Sequence, residues 1–353
     1  LKEYPKGKFW ENFTDDQLSE LENEIFRDLR VSGFPHPVYT ILEKIRDFEC
    51  VKKSGSALPL IEDGIIRQTM QGLKVLWPYF PHHINVKCGK LMSPAEAFAD
   101  DKMLIRAIRQ RLRIGTYVTA SGFRKSIKTI GSCQGVSNFR PTAAKAIYDY
   151  FGGGVVYDMS SGYGGRMLGA MASDKVTKYI GCEPEQATYN GLCAVSYDLS
   201  GHHTTSIELN QIGSEDFIPT DPVDICFTSP PYFGHEQYGY GEMQSFVKFK
   251  KKEDWFNGFL TQTVQNCISC LKPGGTLVLN ISNVNSYSEL EKDFLNYMAK
   301  TDMIRMPDLR LSLSRMPTKN KKTKKYKYEM VYVFKKWSRV SFLPKDSFVS
   351  MEF

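Results

Sequence analysis

The sequence predicts an α/β protein: a doubly wound sheet preceded by a mainly helical N-terminal region. Three observations predict it. Apolar β-type runs at 155–158, 178–182, 204–209, 223–227, 276–282, 308–314 and 328–334 give seven strand candidates, interleaved with helix-type patterns. The first of these runs turns through glycines into a helix-capable stretch, 167–173. The fourth ends in Thr228-Ser229-Pro230-Pro231-Tyr232, at the strand end where open α/β sheets bind ligands.

Taken in order, the elements begin with Thr14-Asp15-Asp16-Gln17, a helix-start pattern, followed by helical spacing over 18–29. Gly33-Phe34-Pro35-His36-Pro37 breaks it. Residues 38–48, 61–75 and 95–112 are further helix candidates. This sets an N-terminal helical region at 1–130, an α/β domain at 131–340 and a tail at 341–353. Pro141 suits the first turn of a helix over 143–150, because its missing N–H costs nothing there. Residues 253–270 carry Trp255, Phe256, Phe259, Leu260, Val264, Cys267 and Ile268 at helical spacing, and Pro273-Gly274-Gly275 stops them. A helix over 289–300 precedes the last two strands, which are expected to form a hairpin.

The first strand leads into Asp158-Met159-Ser160-Ser161-Gly162-Tyr163-Gly164-Gly165. Glycines let the backbone approach a ligand closely, and the following helix start offers free N–H groups to an anion. Met167 stands where a dinucleotide fingerprint needs its third glycine, which disfavours NAD. Glu183, at the end of the second strand, is placed to accept both hydroxyls of a ribose. Asp158 is placed to face a cationic amino group. Together these read as a pocket for S-adenosylmethionine. The two prolines of the fourth-strand turn fix their own φ and donate no hydrogen bond, so the Ser229 and Pro230 carbonyls are stiff acceptors for an exocyclic NH₂. Tyr232 beside them can stack on the ring that carries it.

With these motifs the chain resembles the amino-group DNA methyltransferases, which methylate cytosine N4 or adenine N6. The resemblance covers roughly 136–336 by motif order. The fourth motif is Ser229-Pro230-Pro231-Tyr232, the first runs from Asp158 to Gly162 and Gly164, and Asn138-Phe139-Arg140-Pro141-Thr142 matches the motif that precedes it. Gly213-Ser214-Glu215-Asp216 stands where the family has Gly-Asp near the cofactor adenine. The resemblance implies a Rossmann-like, seven-stranded class I methyltransferase sheet with S-adenosylmethionine as cofactor. The implied cofactor residues are Phe139, Arg140, Thr142, Asp158, Ser160, Ser161, Gly162, Tyr163, Gly164, Glu183, Pro184, Ser214, Glu215 and Thr228. Ser229, Pro230, Pro231 and Tyr232 are the implied catalytic turn, and Ser at its first position implies cytosine N4. Adenine N6, an RNA substrate, a protein-glutamine methyltransferase and a non-catalytic nucleic-acid-binding module on the same fold remain as alternatives. Carbon-5 methylation is disfavoured, since no Pro-Cys dipeptide supplies the nucleophile.

The net charge of +7 matters for where it lies. Lys321, Lys322, Lys324 and Lys325 fall between the last two strands. Lys250 and Lys251 follow an aromatic-rich segment, and Arg109 and Arg113 belong to a third cluster. Basic residues interleaved with aromatics suit a phosphate backbone and unstacked bases, so DNA is the expected partner, with a cognate restriction system as a further possibility. No metal is expected: Cys267 and Cys270, His82-His83 and His202-His203 all lack the further ligands that a structural zinc needs. Eight cysteines, mostly inside apolar runs, fit a reduced compartment. No run approaches the ~20 apolar residues of a membrane span, and no leader is visible, so a cytoplasmic protein is expected.

Overall fold

The structure, a computed structural model, describes residues 12–114, 118–130, 132–234, 236–239, 241–313 and 327–337. Helix α1 (Asp15–Ser32) starts at the expected place. Thr14 accepts from the Gln17 N–H while the Gln17 side chain accepts from the Thr14 N–H, so two donors of the first turn are satisfied locally. Thr40 and Glu43 repeat the device at α2 (Ile41–Lys52).

The helix expected over 61–75 is not formed. A hairpin stands there instead, β1 (Ile61–Glu62) and β2 (Ile65–Ile66), followed by the short helix α3 (Leu73–Leu76). Its turn is Asp63-Gly64, both at positive φ (51° and 71°), the pair that a tight hairpin selects. Apolar spacing mimicked a helix, and turn chemistry with sheet pairing overrode it. After β3 (Lys87–Cys88), the helix expected over 95–112 is divided into α4 (Pro94–Ala99) and α5 (Asp101–Arg113). Asp100 caps α5 by accepting from the Met103 N–H, and α6 (Ala120–Ile127) follows.

The remaining elements are α7 (Pro141–Phe151), β4 (Gly154–Asp158), α8 (Gly165–Met171), β5 (Val176–Cys182), α9 (Gln186–Asp198), β6 (Ser206–Asn210), β7 (Val223–Thr228), β8 (Glu236–Gln237), α10 (Ser245–Lys248), α11 (Lys252–Trp255), α12 (Gln262–Cys270), β9 (Leu271–Asn280), α13 (Leu290–Met298), β10 (Met303–Arg305), β11 (Leu309–Ser312) and β12 (Tyr328–Lys336). Among the described residues the main sheet runs β1-β2-β11-β12-β9-β7-β4-β5-β6, with β10 also on β12. The seven expected strands are β4, β5, β6, β7, β9, β11 and β12. The five from β6 to β9 pair in parallel, and β12 is antiparallel to both β9 and β11. The class I methyltransferase architecture expected above is therefore present, extended by the short strands β1, β2 and β10.

Both faces of the sheet are covered, and its residues show why. Val156, Ile225, Phe227 and Val278 belong to one buried cluster, while the alternate residues Tyr157, Cys226, Leu277 and Leu279 belong to another. A period of two with apolar residues on each face is what a doubly wound sheet requires. Phe48, Val51, Ile66, Val75, Leu76, Phe80 and Cys88 join the first cluster, so part of the N-terminal region packs on the sheet itself. Residues of α1, α4, α5 and α6 form a separate core around Leu29, Leu104, Ile108 and Phe123. The chain order reverses between β4 and β7, neighbours whose continuations lead to opposite edges, and a crevice opens there.

Candidate active site

A cavity of about 390 Å³ opens at the carboxyl ends of β4, β5 and β7. It is lined by Phe139, Arg140, Ser160, Ser161, Gly162, Tyr163, Glu183, Pro184, Ser214 and Glu215 of the expected cofactor set, and by Ser229, Pro230, Pro231 and Tyr232. Two motifs far apart in the sequence thus face one space. Gly162 (φ 50°) and Gly164 (φ 74°) hold the left-handed turns that carry the chain from β4 into α8. A Cβ on Gly165 would overlap the Phe139 carbonyl, so this glycine lets the loop before α7 lie directly on α8.

Glu183 is buried at the end of β5. One carboxylate oxygen accepts from the Gly162 N–H at 3.0 Å, the other from the Glu185 N–H at 3.0 Å. Burial pushes its pKa up to about 7 even though both hydrogen bonds favour the ionised form. The fixed carboxylate keeps lone pairs for ligand hydroxyls. The Ser214–Asp216 turn is held from behind by buried Asn266, whose amide nitrogen donates to the Ser214 and Glu215 carbonyls at 3.0 and 2.9 Å. Glu215 accepts from Lys248 with one oxygen at 2.9 Å. Its other oxygen is buried with no partner among the described residues.

Four residues of the cofactor set lie behind the cavity wall rather than on it. Asp158 is fully buried: Arg166 Nε donates to both of its oxygens at 2.9–3.0 Å, the Tyr179 hydroxyl donates at 2.8 Å and the Thr228 hydroxyl at 3.2 Å. The expectation that it faces a cationic ligand gives way to an internal ion pair. Arg166 also donates to the Ser160 carbonyl, so the pair braces the glycine loop from beneath. The Thr142 hydroxyl accepts from the Thr69 N–H at 3.0 Å, and Gly164 lies close to Leu192 and Leu76. Arg140, by contrast, is a half-buried cation on the cavity wall with no ion pair among the described residues. Among the described residues its guanidinium donates one hydrogen bond, a long one to the Asn138 carbonyl, at 3.5 Å.

The cavity is also lined by Gln68, Glu236, Tyr238, Asn280, Leu311, Leu313 and Glu329, of which only Tyr238, in the aromatic-rich segment, is flagged by the sequence. Burial holds the Tyr232 phenol above the usual range, an effect that Ser282 nearby opposes. Asn280 closes β9 at the same sheet end as Thr228, so strand-end reasoning alone reaches it. Gln68 comes from the N-terminal region and donates to the Ser312 carbonyl at 2.7 Å, a partner that no local signal announces.

Of the expected nucleic-acid contacts, Lys250 and Lys251 are exposed after α10. Arg109 and Arg113 lie on α5 and line a surface concavity with Lys102 and Arg106, and Arg109 is paired with Glu22. Lys321, Lys322, Lys324 and Lys325 lie outside the described residues. Among the described residues no cluster of His, Cys, Asp and Glu has metal-ligand geometry, and no helix is long and apolar enough to cross a membrane.

Comparison with known proteins gives three findings. No curated protein matches the chain. Among solved structures, an O-methyltransferase from Thermotoga maritima aligns at 12% identity over 56% of this chain and 65% of that one, with a TM-score of 0.37. A putative RNA methyltransferase from Pyrococcus horikoshii aligns at 13% over 56% and 83% (TM-score 0.37). Magnesium protoporphyrin IX methyltransferase from Synechocystis, solved with bound SAM, aligns at 9% over 56% and 79% (TM-score 0.37). Residues 223–348, which include the Ser229–Tyr232 turn, match the sequence model of a family described as DNA methylase, of N6/N4 type.

Proposed function

We propose that the protein transfers a methyl group from S-adenosylmethionine to the exocyclic amino group of a base extruded from DNA, with cytosine N4 as the target. The observation that carries this reading is the sharing of one cavity by the Glu183 end and the Ser229–Tyr232 turn. The lining fits such a cofactor. Glu183 offers a carboxylate to ribose hydroxyls, Glu215 keeps an unpartnered buried oxygen beside the Ser214–Asp216 turn, and Arg140 offers a guanidinium to a carboxylate. S-adenosylmethionine, when bound, supplies a sulfonium-activated methyl group.

An exocyclic amine is a weak nucleophile because its lone pair is delocalised into the ring. The Ser229 and Pro230 carbonyls accept its two hydrogens and favour a tetrahedral nitrogen, whose lone pair is then free for in-line attack. The turn contributes mainly by positioning. Tyr232 stacks on the ring, and the nitrogen's extra proton leaves to water after transfer. The base must leave the duplex to reach this depth. Ser229 is neutral and need only orient the amine, so the choice of cytosine over adenine rests on family resemblance.

The test is transfer of an isotope-labelled methyl group by the full chain to DNA, with RNA as competitor. DNA labelling that survives excess RNA supports the reading. Labelling of RNA alone would replace the substrate and keep the chemistry. Absence of S-adenosylmethionine binding by calorimetry would remove it.

A further inference from the structure

Glu329 lies on β12, opposite Leu311 of β11, and lines the cavity beside Tyr232, Leu311 and Leu313. The Asn280 side chain nearby favours its charged form, and the Asn280 amide nitrogen donates to the Met330 carbonyl at 2.9 Å. Glu329 forms no ion pair among the described residues. Lys327, just before β12, favours its charged form, while burial, the stronger influence, holds its pKa above the usual carboxylate range. Tyr232 from the β7 turn feels its charge and that of Glu236, another carboxylate of the wall. Among the described residues, Asn280 on β9, Gln68 and Leu311 line the same cavity without adding a cation. A carboxyl with no ion pair among the described residues, on a wall shared with Leu311, Leu313 and a tyrosine ring, is costly to keep unless it has a partner.

The proposed chemistry leaves a partner to find. If the Ser229 and Pro230 carbonyls take both hydrogens of the amine, the next polar atom on that ring edge is a nitrogen that only accepts. This holds for cytosine and adenine alike. β7 and β12 are separated by β9 alone, so their backbones run roughly 10 Å apart. Glu329 from β12 and the Ser229 turn from β7 line the same cavity.

Resting on the methyltransferase reading, we propose that Glu329 reads the extruded base, its carboxyl donating a hydrogen bond to the acceptor ring nitrogen beside the amine. An ionised Glu329 would face that acceptor with a second acceptor, so the contact needs the protonated acid. Transfer then weakens as pH rises through the titration of this group. Glutamine at 329 donates from its amide at every pH.

The experiment is single-turnover methyl transfer to DNA by the full chain, at saturating S-adenosylmethionine so that cofactor affinity does not enter. Wild type, E329Q and E329A are compared from roughly pH 4.5, the ordinary glutamate range, up to about pH 9, so that a raised carboxyl titrates inside the window. Calorimetric cofactor affinity reports that each variant is folded. Expected are a rate roughly tenfold lower in E329A, in keeping with the removal of one buried hydrogen bond, substantial recovery in E329Q, and disappearance of the alkaline fall in E329Q. Full activity in E329A would overturn the proposal, as would an E329Q that is no better than E329A or keeps the wild-type alkaline limb. Failure of the wild type to methylate any nucleic acid overturns the underlying function and this inference with it, whereas a wild type that transfers beside a fully active E329A overturns the inference alone.

Discussion

Glu183 and Asp158 show how differently two carboxylates at neighbouring strand ends are used. Glu183 is buried on the cavity wall, with a pKa pushed up to about 7. A raised carboxyl favours the folded, ligand-free protein below the unfolded value and loses that contribution as pH rises through about 7. Ribose hydroxyls donate to the ionised form, so S-adenosylmethionine affinity is expected to rise with pH through about 7, with proton release on binding below it. Calorimetry in buffers of different ionisation enthalpy checks this, and Glu183→Gln is expected to flatten the dependence. Asp158 instead closes an ion pair with Arg166, and both partners are buried. Asp158→Ala leaves that guanidinium unpaired in the core, which costs about 3–5 kcal/mol for a broken buried pair. A lowered denaturant midpoint is the expected result; an unchanged midpoint with weakened cofactor binding would return Asp158 to the cavity. The sequence located both acids at their strand ends, but the bracing role of Asp158 depends on Arg166 at the start of α8 and on Tyr179 of β5, which no spacing rule connects.

At the scale of elements, the cofactor side is positioned by helices behind it. Apolar spacing over 253–270 reads as one continuous helix, yet Phe256–Thr261 winds as a π-helix, and Phe259 lines the cavity. Such wide turns recur at functional sites. Further along the same segment, in α12, Asn266 occupies the carbonyls of the Ser214–Asp216 turn. Asn266→Ala leaves those carbonyls unsatisfied, at about 1–3 kcal/mol, and frees the turn. The variant is expected to melt earlier than wild type and to gain less than wild type from added S-adenosylmethionine. An equal gain would show that the turn is not part of the cofactor site. Proline and glycine punctuation made β4, β7 and their turns legible, because those residues act locally. The β1–β2 hairpin was misread as helix because Ile61, Ile65 and Ile66 fit helical spacing. Pairing of β2 with β11, some 245 positions on, is a tertiary contact that overrides local pattern. The part of the cavity wall formed by Gln68, Leu311 and Glu329 is hidden for the same reason.

Across the whole molecule, the N-terminal region is joined to the catalytic face in two places. β2 extends the sheet, and β3 pairs with β8 shortly after the Ser229–Tyr232 turn. Tyr163 of the glycine loop packs among Trp77, Phe80, His82 and Tyr238, so both halves of the cavity wall lean on this region. The exposed cations of α5 are a separate matter. Lys102, Arg106 and Arg113 line one concavity without an ion pair among the described residues. If they meet phosphates, replacing all three by glutamine is expected to flatten the salt dependence of DNA binding by up to about 0.9 in slope for each phosphate no longer neutralised, with sequence preference unchanged. An unchanged slope would make the α5 face a solvated surface. The central claim concerns the product. Digestion of DNA treated with the protein and S-adenosylmethionine, followed by nucleoside mass spectrometry, tests it most directly. The account predicts N4-methylcytosine; N6-methyladenine as sole product would contradict the base assignment, and 5-methylcytosine would contradict the amino-group chemistry itself.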